Sequence, residues 1–238
     1  MRMKKQAVIL CGGKGKRLRP YTIVLPKPLM PIGDYPILEV IIRQLALQGF
    51  EKITLAVNHQ AELLEAFFGN GSKWNINITY SLEDEPLGTM GPLKLIQDLP
   101  EHFLVMNGDI LTDLAYGTFF DTHVQRQSNF TICSHERTEK IDYGVLDTQD
   151  GLLTGFREKP VSKYEVSMGI YMVSQTALNT IPSNTPYGFD HLMIALLQKQ
   201  IPVSVEKYSG LWLDIGRPDD YLEAIEKFDQ MKESIFYV

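Results

Sequence analysis

Along the first half of the chain, short apolar runs alternate with stretches in which apolar residues recur every three or four positions. Gln6 to Leu10 is such a run, and it stops at Gly12-Gly13-Lys14-Gly15, the profile of a buried strand that ends in a turn. Leu38, Ile41, Ile42 and Leu45 fall on one helical face between Leu38 and Gln48, and Gly49 closes that helix. Lys52 to Val57 predicts a second strand and Ala61 to Phe68 a second helix. A third strand over Ile76 to Ser81 leads into a glycine-bearing loop and a helix over Pro92 to Gln97. A fourth, Phe103 to Met106, ends at Asn107-Gly108-Asp109. Strands and helices alternating at this spacing build βαβ units and a largely parallel sheet. Open sheets of that kind bind ligands beyond the carboxyl ends of their strands, where both the glycine loop and Asp109 fall.

The second half is less regular. Phe130 to Ser134, Gly144 to Asp147, Gly151 to Glu158 and Gly169 to Ser174 predict strands of antiparallel character, and Asp219 to Glu233 an amphipathic helix. No linker, repeat or low-complexity tract interrupts the 238 residues, so one domain is expected over 1–238. The apolar share, 44%, is that of an ordinary globular chain. A net charge of −6 disfavours nucleic acid, whose phosphates select basic surfaces, yet leaves room for a small anion held by a local cluster of cations. Cys11 and Cys133 lack C-x-x-C spacing and predict neither a zinc site nor a disulfide framework. No apolar run approaches the roughly 18 residues of a membrane span. The run Ala7 to Leu10 behind the basic start is too short for a secretion signal, so a cytoplasmic protein with no membrane partner is expected.

The chemistry begins at Leu10-Cys11-Gly12-Gly13-Lys14-Gly15-Lys16-Arg17-Leu18. Glycines let a backbone turn its N–H groups onto an anion, and Lys14, Lys16 and Arg17 can add charge-assisted bonds to phosphate oxygens. The segment is neither a Walker loop nor a G-x-G-x-x-G turn, and read alone it competes with a basic surface turn. Downstream, Pro26-Lys27-Pro28 fixes the backbone on both sides of one lysine, which aims it.

Together, G-G-x-G-x-R-L and P-K-P resemble the signature of the sugar nucleotidyltransferases, the nucleoside-diphosphate-sugar pyrophosphorylases, with Lys16 standing where that family has threonine. Further motifs follow in the family's order. Glu85-Pro86-Leu87-Gly88-Thr89-Met90-Gly91-Pro92 resembles the nucleobase-side loop, above all that of mannose-1-phosphate guanylyltransferases. Asn107-Gly108-Asp109 resembles the metal-binding strand end and Tyr143-Gly144-Val145 the sugar-site turn; Glu158-Lys159-Pro160 and Trp212-Leu213-Asp214-Ile215-Gly216 complete the set. The resemblance implies an α/β, Rossmann-like three-layer sandwich with a mixed, mainly parallel central sheet. Its nucleotide-binding half is about 1–110 and its sugar-phosphate-binding half about 111–238.

The resemblance also implies a reaction, in which a nucleoside triphosphate and a sugar 1-phosphate give a nucleotide sugar and pyrophosphate. By the same resemblance, Asp109 and Asp214 hold Mg²⁺, while Arg17 and Lys27 stabilise the α-phosphate and the departing pyrophosphate. Lys159 is implied as the clamp on the sugar phosphate. Nucleotide contacts are implied at Leu10, Gly12, Gly13, Gly15, Lys16, Glu83, Pro86 and Gly88, and sugar-phosphate contacts at Asn107, Gly144, Glu158 and Ser167. Two carboxylates plus phosphate oxygens and waters suit a hard cation. A phosphate monoester is already anionic near pH 7, so the reaction needs no general base; it needs two anions aligned and neutralised.

Glu83 stands where uridylyl- and thymidylyltransferases of the family resemble one another in using glutamine. An ionised carboxylate only accepts, which matches the adjacent N1–H and N2–H₂ donors of guanine and favours GTP; a solvated acidic turn over Glu83, Asp84 and Glu85 is the competing explanation. The family's N-A-G-[IV]-Y reads Ser167-Met168-Gly169-Ile170-Tyr171 here, so a shorter hydroxyl and a bulkier Met168 are expected to reshape the sugar wall. Mannose 1-phosphate or a related hexose or heptose 1-phosphate is the expected acceptor. Tyr187 to His191, ahead of a helix, is expected to line the acceptor pocket. His59, His102, His123, His135 and His191 show no i, i+4 pair and are not expected to bind metal. Beyond the two substrates, the partner expected is a second copy of the chain. Three alternatives stay open: a UTP- or CTP-dependent enzyme for another phosphorylated acceptor, a metal-dependent glycosyltransferase, and a catalytically silent sensor.

Overall fold

A computed structural model describes residues 3–13, 15–58 and 60–236; Lys14 and His59 lie outside the described residues. From β1 (Lys5–Leu10) the chain passes through short 3₁₀ turns and a small ladder of β2 (Pro31–Ile32) on β3 (Tyr35–Pro36). It continues as α1 (Ile37–Leu47), β4 (Phe50–Val57), α2 (Ala61–Phe68), β5 (Asn77–Leu82), β6 (His102–Asn107), β7 (Ile110–Thr112) and α3 (Tyr116–Gln125). The second half contains β8 (Phe130–Lys140), β9 (Gly144–Gln149), β10 (Leu152–Glu158), β11 (Val161–Ser174), α4 (Gln175–Leu178), α5 (Phe189–Gln198), β12 (Val203–Tyr208), β13 (Trp212–Asp214) and α6 (Pro218–Phe236).

One seven-stranded sheet runs β12-β8-β11-β6-β1-β4-β5. Only β11 opposes its neighbours, antiparallel to β6 and β8; the other pairs are parallel, so the sheet is mixed and mainly parallel as expected. Alternate residues of a strand point to opposite faces. Ala7 and Ile9 accordingly enter one core with α1, α2, α3 and α6, while Val8 enters the other with α4 and α5. Two apolar cores on the two faces of one sheet make the three-layer sandwich.

The expected elements of the first half form with shifts of one or two residues, except the helix over Pro92 to Gln97. That segment is a 3₁₀ turn, Gly91–Leu95. Pro92 brings no N–H, and the chain leaves it for Asp98 at positive φ and then Pro100, which leaves no length for an α-helix. In the second half β8 and β11 are much longer than their apolar cores, because their outer parts, around Glu136 to Lys140 and Val161 to Glu165, pair with each other away from the core. Helices α3 and α4 and strands β12 and β13 go beyond the elements expected there, and α5 is the helix expected at Tyr187 to His191. No helix among the described residues is long and apolar enough to cross a membrane.

What positions the site is strand adjacency. β1 and β6 lie side by side with Leu10 opposite Asn107, and Gly108 N–H donates to Leu10 O at 3.0 Å. The glycine loop and Asp109 therefore leave the sheet together.

Candidate active site

A cavity of about 670 Å³ opens at that edge of the sheet. All eight residues expected on the nucleotide side line it: Leu10, Gly12, Gly13, Gly15, Lys16, Glu83, Pro86 and Gly88. Lys27, Asn107 and Asp109 join them. Two glycines have stated steric reasons. A Cβ on Gly12 would stand 2.8 Å from Glu83 Oε1, and Gly15 has φ +56° with Thr22 packed where its Cβ would go. Thr22 Oγ1 also donates to Gly15 O at 2.7 Å, which holds the turn closed. Thr89 and Pro92, from the loop expected on the nucleobase side, line the cavity too, as does Asn58, which was not anticipated. Asn58 had a legible signal: it follows β4, the strand parallel to β1, so the same strand-end rule reaches it.

Asp109 and Asp214, far apart in sequence, meet through a two-stranded ladder. β13 pairs with β7 so that Asp214 lies opposite Ile110, and Ile215 N–H donates to Asp109 O at 3.0 Å. Lys27, held in the 3₁₀ turn Lys27–Leu29, forms an ion pair with Asp109 Oδ2. Asp109 Oδ1 is buried with no hydrogen-bond partner among the described residues. The Asp214 carboxyl is raised above the usual range by burial and then by the charge of Asp109, against the pull of Lys27 and Arg17. The Arg17 guanidinium and the Asp214 carboxylate both lie within 3.4 Å of where a Cβ on Gly216 would stand. Two cations and two carboxylates thus cluster together; Lys27 and Asp109 line the cavity, whereas Arg17 and Asp214 stand behind them and are not among its lining residues.

On the base side, Glu83 is not a solvated turn residue. It is 6% exposed, whereas Asp84 and Glu85 are exposed. Glu83 Oε2 accepts from Leu87 N–H at 2.9 Å, which closes the loop behind it, and burial raises its carboxyl while that bond lowers it. Cys11, inside the loop, is buried and its thiol pushed far up by burial and by Asp109, so it acts as a small packing residue.

Residues 6–231 match the family described as nucleotidyl transferase. The chain belongs to that family. Mannose-1-phosphate guanyltransferase of Schizosaccharomyces pombe is 34% identical over 227 residues, covering 91% of this chain and 62% of that protein. D-glycero-alpha-D-manno-heptose 1-phosphate guanylyltransferase of Aneurinibacillus thermoaerophilus is 33% identical over 224 residues, covering 92% of this chain and 96% of that one. The solved structure of HddC from Yersinia pseudotuberculosis complexed with GMP-PN superposes with a TM-score of 0.71 at 27% identity, covering 94% and 99% of the two chains. This chain spans about three fifths of the length of the mannose-1-phosphate guanyltransferases it matches.

In this member of the family the expected sugar-side residues fall into two groups. Asn107 lies at the cavity, its amide against Gly169 in the bulge of β11, and Ser167 stands two residues before that glycine. Gly144 and Glu158 are cross-strand partners on the exposed β9–β10 hairpin, and Lys159 follows them at φ +44°. These three are not among the residues lining the cavity. The expectation for Met168 is corrected: it is fully buried, its Sδ 3.3 Å from Cys133 Sγ, so its bulk fills the core instead of the sugar wall. A glycine in the left-handed region at 169 turns the backbone of the bulge and aims Met168 inward. Residues Tyr187 to His191 do not line the cavity; Tyr187 backs the base-side loop from outside.

Proposed function

We propose that the chain joins GTP to mannose 1-phosphate, or to a related hexose or heptose 1-phosphate, giving a guanosine-diphosphate sugar and pyrophosphate. The observation that carries this is the meeting of Arg17 and Asp214 with Lys27 and Asp109, which line a cavity walled by the glycine loop and Glu83. An oxygen of the sugar 1-phosphate attacks the α-phosphorus. The new P–O bond forms as the bond to the bridging oxygen breaks, and the electron pair leaves with pyrophosphate. No side chain has to take a proton. Arg17 and Lys27 offset the charge gathering at the α-phosphate and the leaving group, Lys159 holds the incoming phosphate, and Glu158 accepts from sugar hydroxyls.

Asp109 and Asp214 fit Mg²⁺. The unpartnered buried Oδ1 of Asp109 is an acceptor awaiting a positive partner, and two carboxylates leave the other coordination positions to phosphate oxygens and water. When bound, Mg²⁺ supplies Lewis-acid polarisation and charge neutralisation at the α-phosphate. GTP is supported by Glu83, whose buried carboxylate at the cavity wall can accept from guanine beyond its bond to Leu87 N–H. Curated relatives at this identity include a uridylyltransferase as well as guanyltransferases, so the base rests on Glu83. The heptose reading draws on the relative covered to 96% of its length and on Ser167 in place of the family's asparagine.

A matrix of GTP, UTP, CTP, ATP and dTTP against mannose, glucose and heptose 1-phosphates, scored by pyrophosphate release, tests this. GTP is expected to lead. A lead for UTP or CTP overturns the base, and silence across the matrix overturns the reaction. Assembly with a second copy is supported by Tyr143, Leu146, Leu152, Leu153 and Phe156, all more than half exposed on or beside the β9–β10 hairpin. A cytoplasmic site of action is supported by two buried free thiols, which suit a reducing compartment.

A further inference from the structure

The base-side loop and the bulge beside Asn107 are distant in sequence, yet one segment touches both. Tyr187 N–H donates to Leu87 O at 2.8 Å, and Met90 and Gly91 N–H donate to Tyr187 O at 2.9 and 3.0 Å. Two residues on, Phe189 N–H donates to Oγ1 of Thr89, a cavity residue, at 2.9 Å. Gly88 permits the approach: a Cβ there would stand 2.8 Å from Tyr187 O.

From the same point the contacts continue to the other subsite. The Phe189 ring stacks on Tyr171 with centroids 4.8 Å apart and planes 22° apart. Tyr171 is 6% exposed, and its hydroxyl accepts from Ser167 Oγ–H at 3.1 Å. Ser167 Oγ in turn accepts from Gly169 N–H at 3.2 Å, beside Asn107. The base-side loop and the acceptor-side bulge are thus joined through one packed ring pair.

We infer that Phe189 and Tyr171 are positioning residues that couple the two substrate subsites, so that occupancy of the nucleotide side sharpens the sugar-phosphate side. This rests on the function proposed above. A packed, hydrogen-bonded connection is the physical means by which two sites bias one element, and its strength is measured as a coupling.

The test is steady-state kinetics with GTP and mannose 1-phosphate on the wild type, Phe189→Ala, Phe189→Tyr and Tyr171→Phe. Phe189→Ala is expected to raise KM for both substrates by about 5-fold or more, with kcat within about threefold of wild type. Phe189→Tyr keeps the ring and is expected to restore both KM values. Tyr171→Phe, which loses only the hydroxyl, is expected to raise KM for mannose 1-phosphate alone. If Phe189→Ala moves one KM or neither while the wild type releases pyrophosphate, the coupling is wrong and the functional reading stands. Should Phe189→Ala fail to fold, Tyr171→Phe decides, and an unchanged KM for mannose 1-phosphate overturns the inference. A wild type that releases no pyrophosphate from this pair overturns the proposed substrates and the inference with them.

Discussion

Asp109 has one carboxylate oxygen engaged by Lys27 and the other buried without a partner among the described residues, an arrangement that favours the arrival of something positive. Its replacement by alanine removes one preorganised electrostatic contact, so Asp109→Ala is expected to lower turnover by at least ~10²-fold. Lys159→Ala is expected to cost the same order, although this lysine is exposed beside the hairpin, at positive φ. Pyrophosphate release by the purified, folded variants checks both, and near wild-type rates remove that residue from the mechanism. Both aspartates were recognisable as motif residues. Their partnership was not, because it depends on β13 pairing with β7. Glu83 illustrates the opposite limit: its neighbours are charged, so its burial beneath Gly12 has no signature in the local sequence.

At the scale of elements, the base-side loop is rigid because its backbone is sutured to Tyr187, and Gly88 at φ +79° allows that closeness. Gly88→Ala strains the backbone and drives a Cβ against a carbonyl that cannot retreat. Its KM for GTP is expected to rise about tenfold, the scale of 1–2 kcal/mol of lost loop geometry; an unchanged KM would show that the loop tolerates another path. Helix α3 carries a second consequence. His123 packs between His102 of β6, at 3.1 Å, and Thr131 of β8, at 2.7 Å, and burial with the neighbouring imidazole pushes it down to about 4. The unfolded chain takes up that proton near pH 6.5, so the unfolded state binds more protons between the two values. Stability from this group is therefore complete above about pH 6.5 and falls by about 2–3 kcal/mol on acidification to pH 4. Urea titrations of the wild type and His123→Gln between pH 7 and 4 should converge as pH falls; parallel curves would acquit His123.

Across the whole molecule, order is graded from the sheet centre to the hairpin. β1, β4 and β6 are buried on both faces, whereas β9 and β10 form a two-stranded sheet of their own that is exposed almost throughout. Backbone bonds with few buried contacts open first. Peptide-resolved hydrogen exchange is expected to release amides over 144–158 well before those of β1, β4 and β6. Equal protection in both would mean that the hairpin is covered in solution, as the proposed second copy would do. The residues proposed for the two substrates follow this gradient, with those for the nucleotide on the sheet edge and Gly144, Glu158 and Lys159 on or beside the exposed hairpin.

By itself the sequence determined the alternating α/β order, the parallel first half, the glycine loop at the end of β1 and the family to which the chain belongs. Those features rest on local periodicity, turn chemistry and ordered motifs, all of which act over a few residues. Only the tertiary structure decided that β11 inserts antiparallel between β6 and β8, that Asp109 meets Asp214, that Met168 turns into the core, and that Tyr187 backs the base-side loop. Each of these is a pairing between distant segments, set by which surfaces are left to bury once the local elements exist, and no short stretch of residues carries that information.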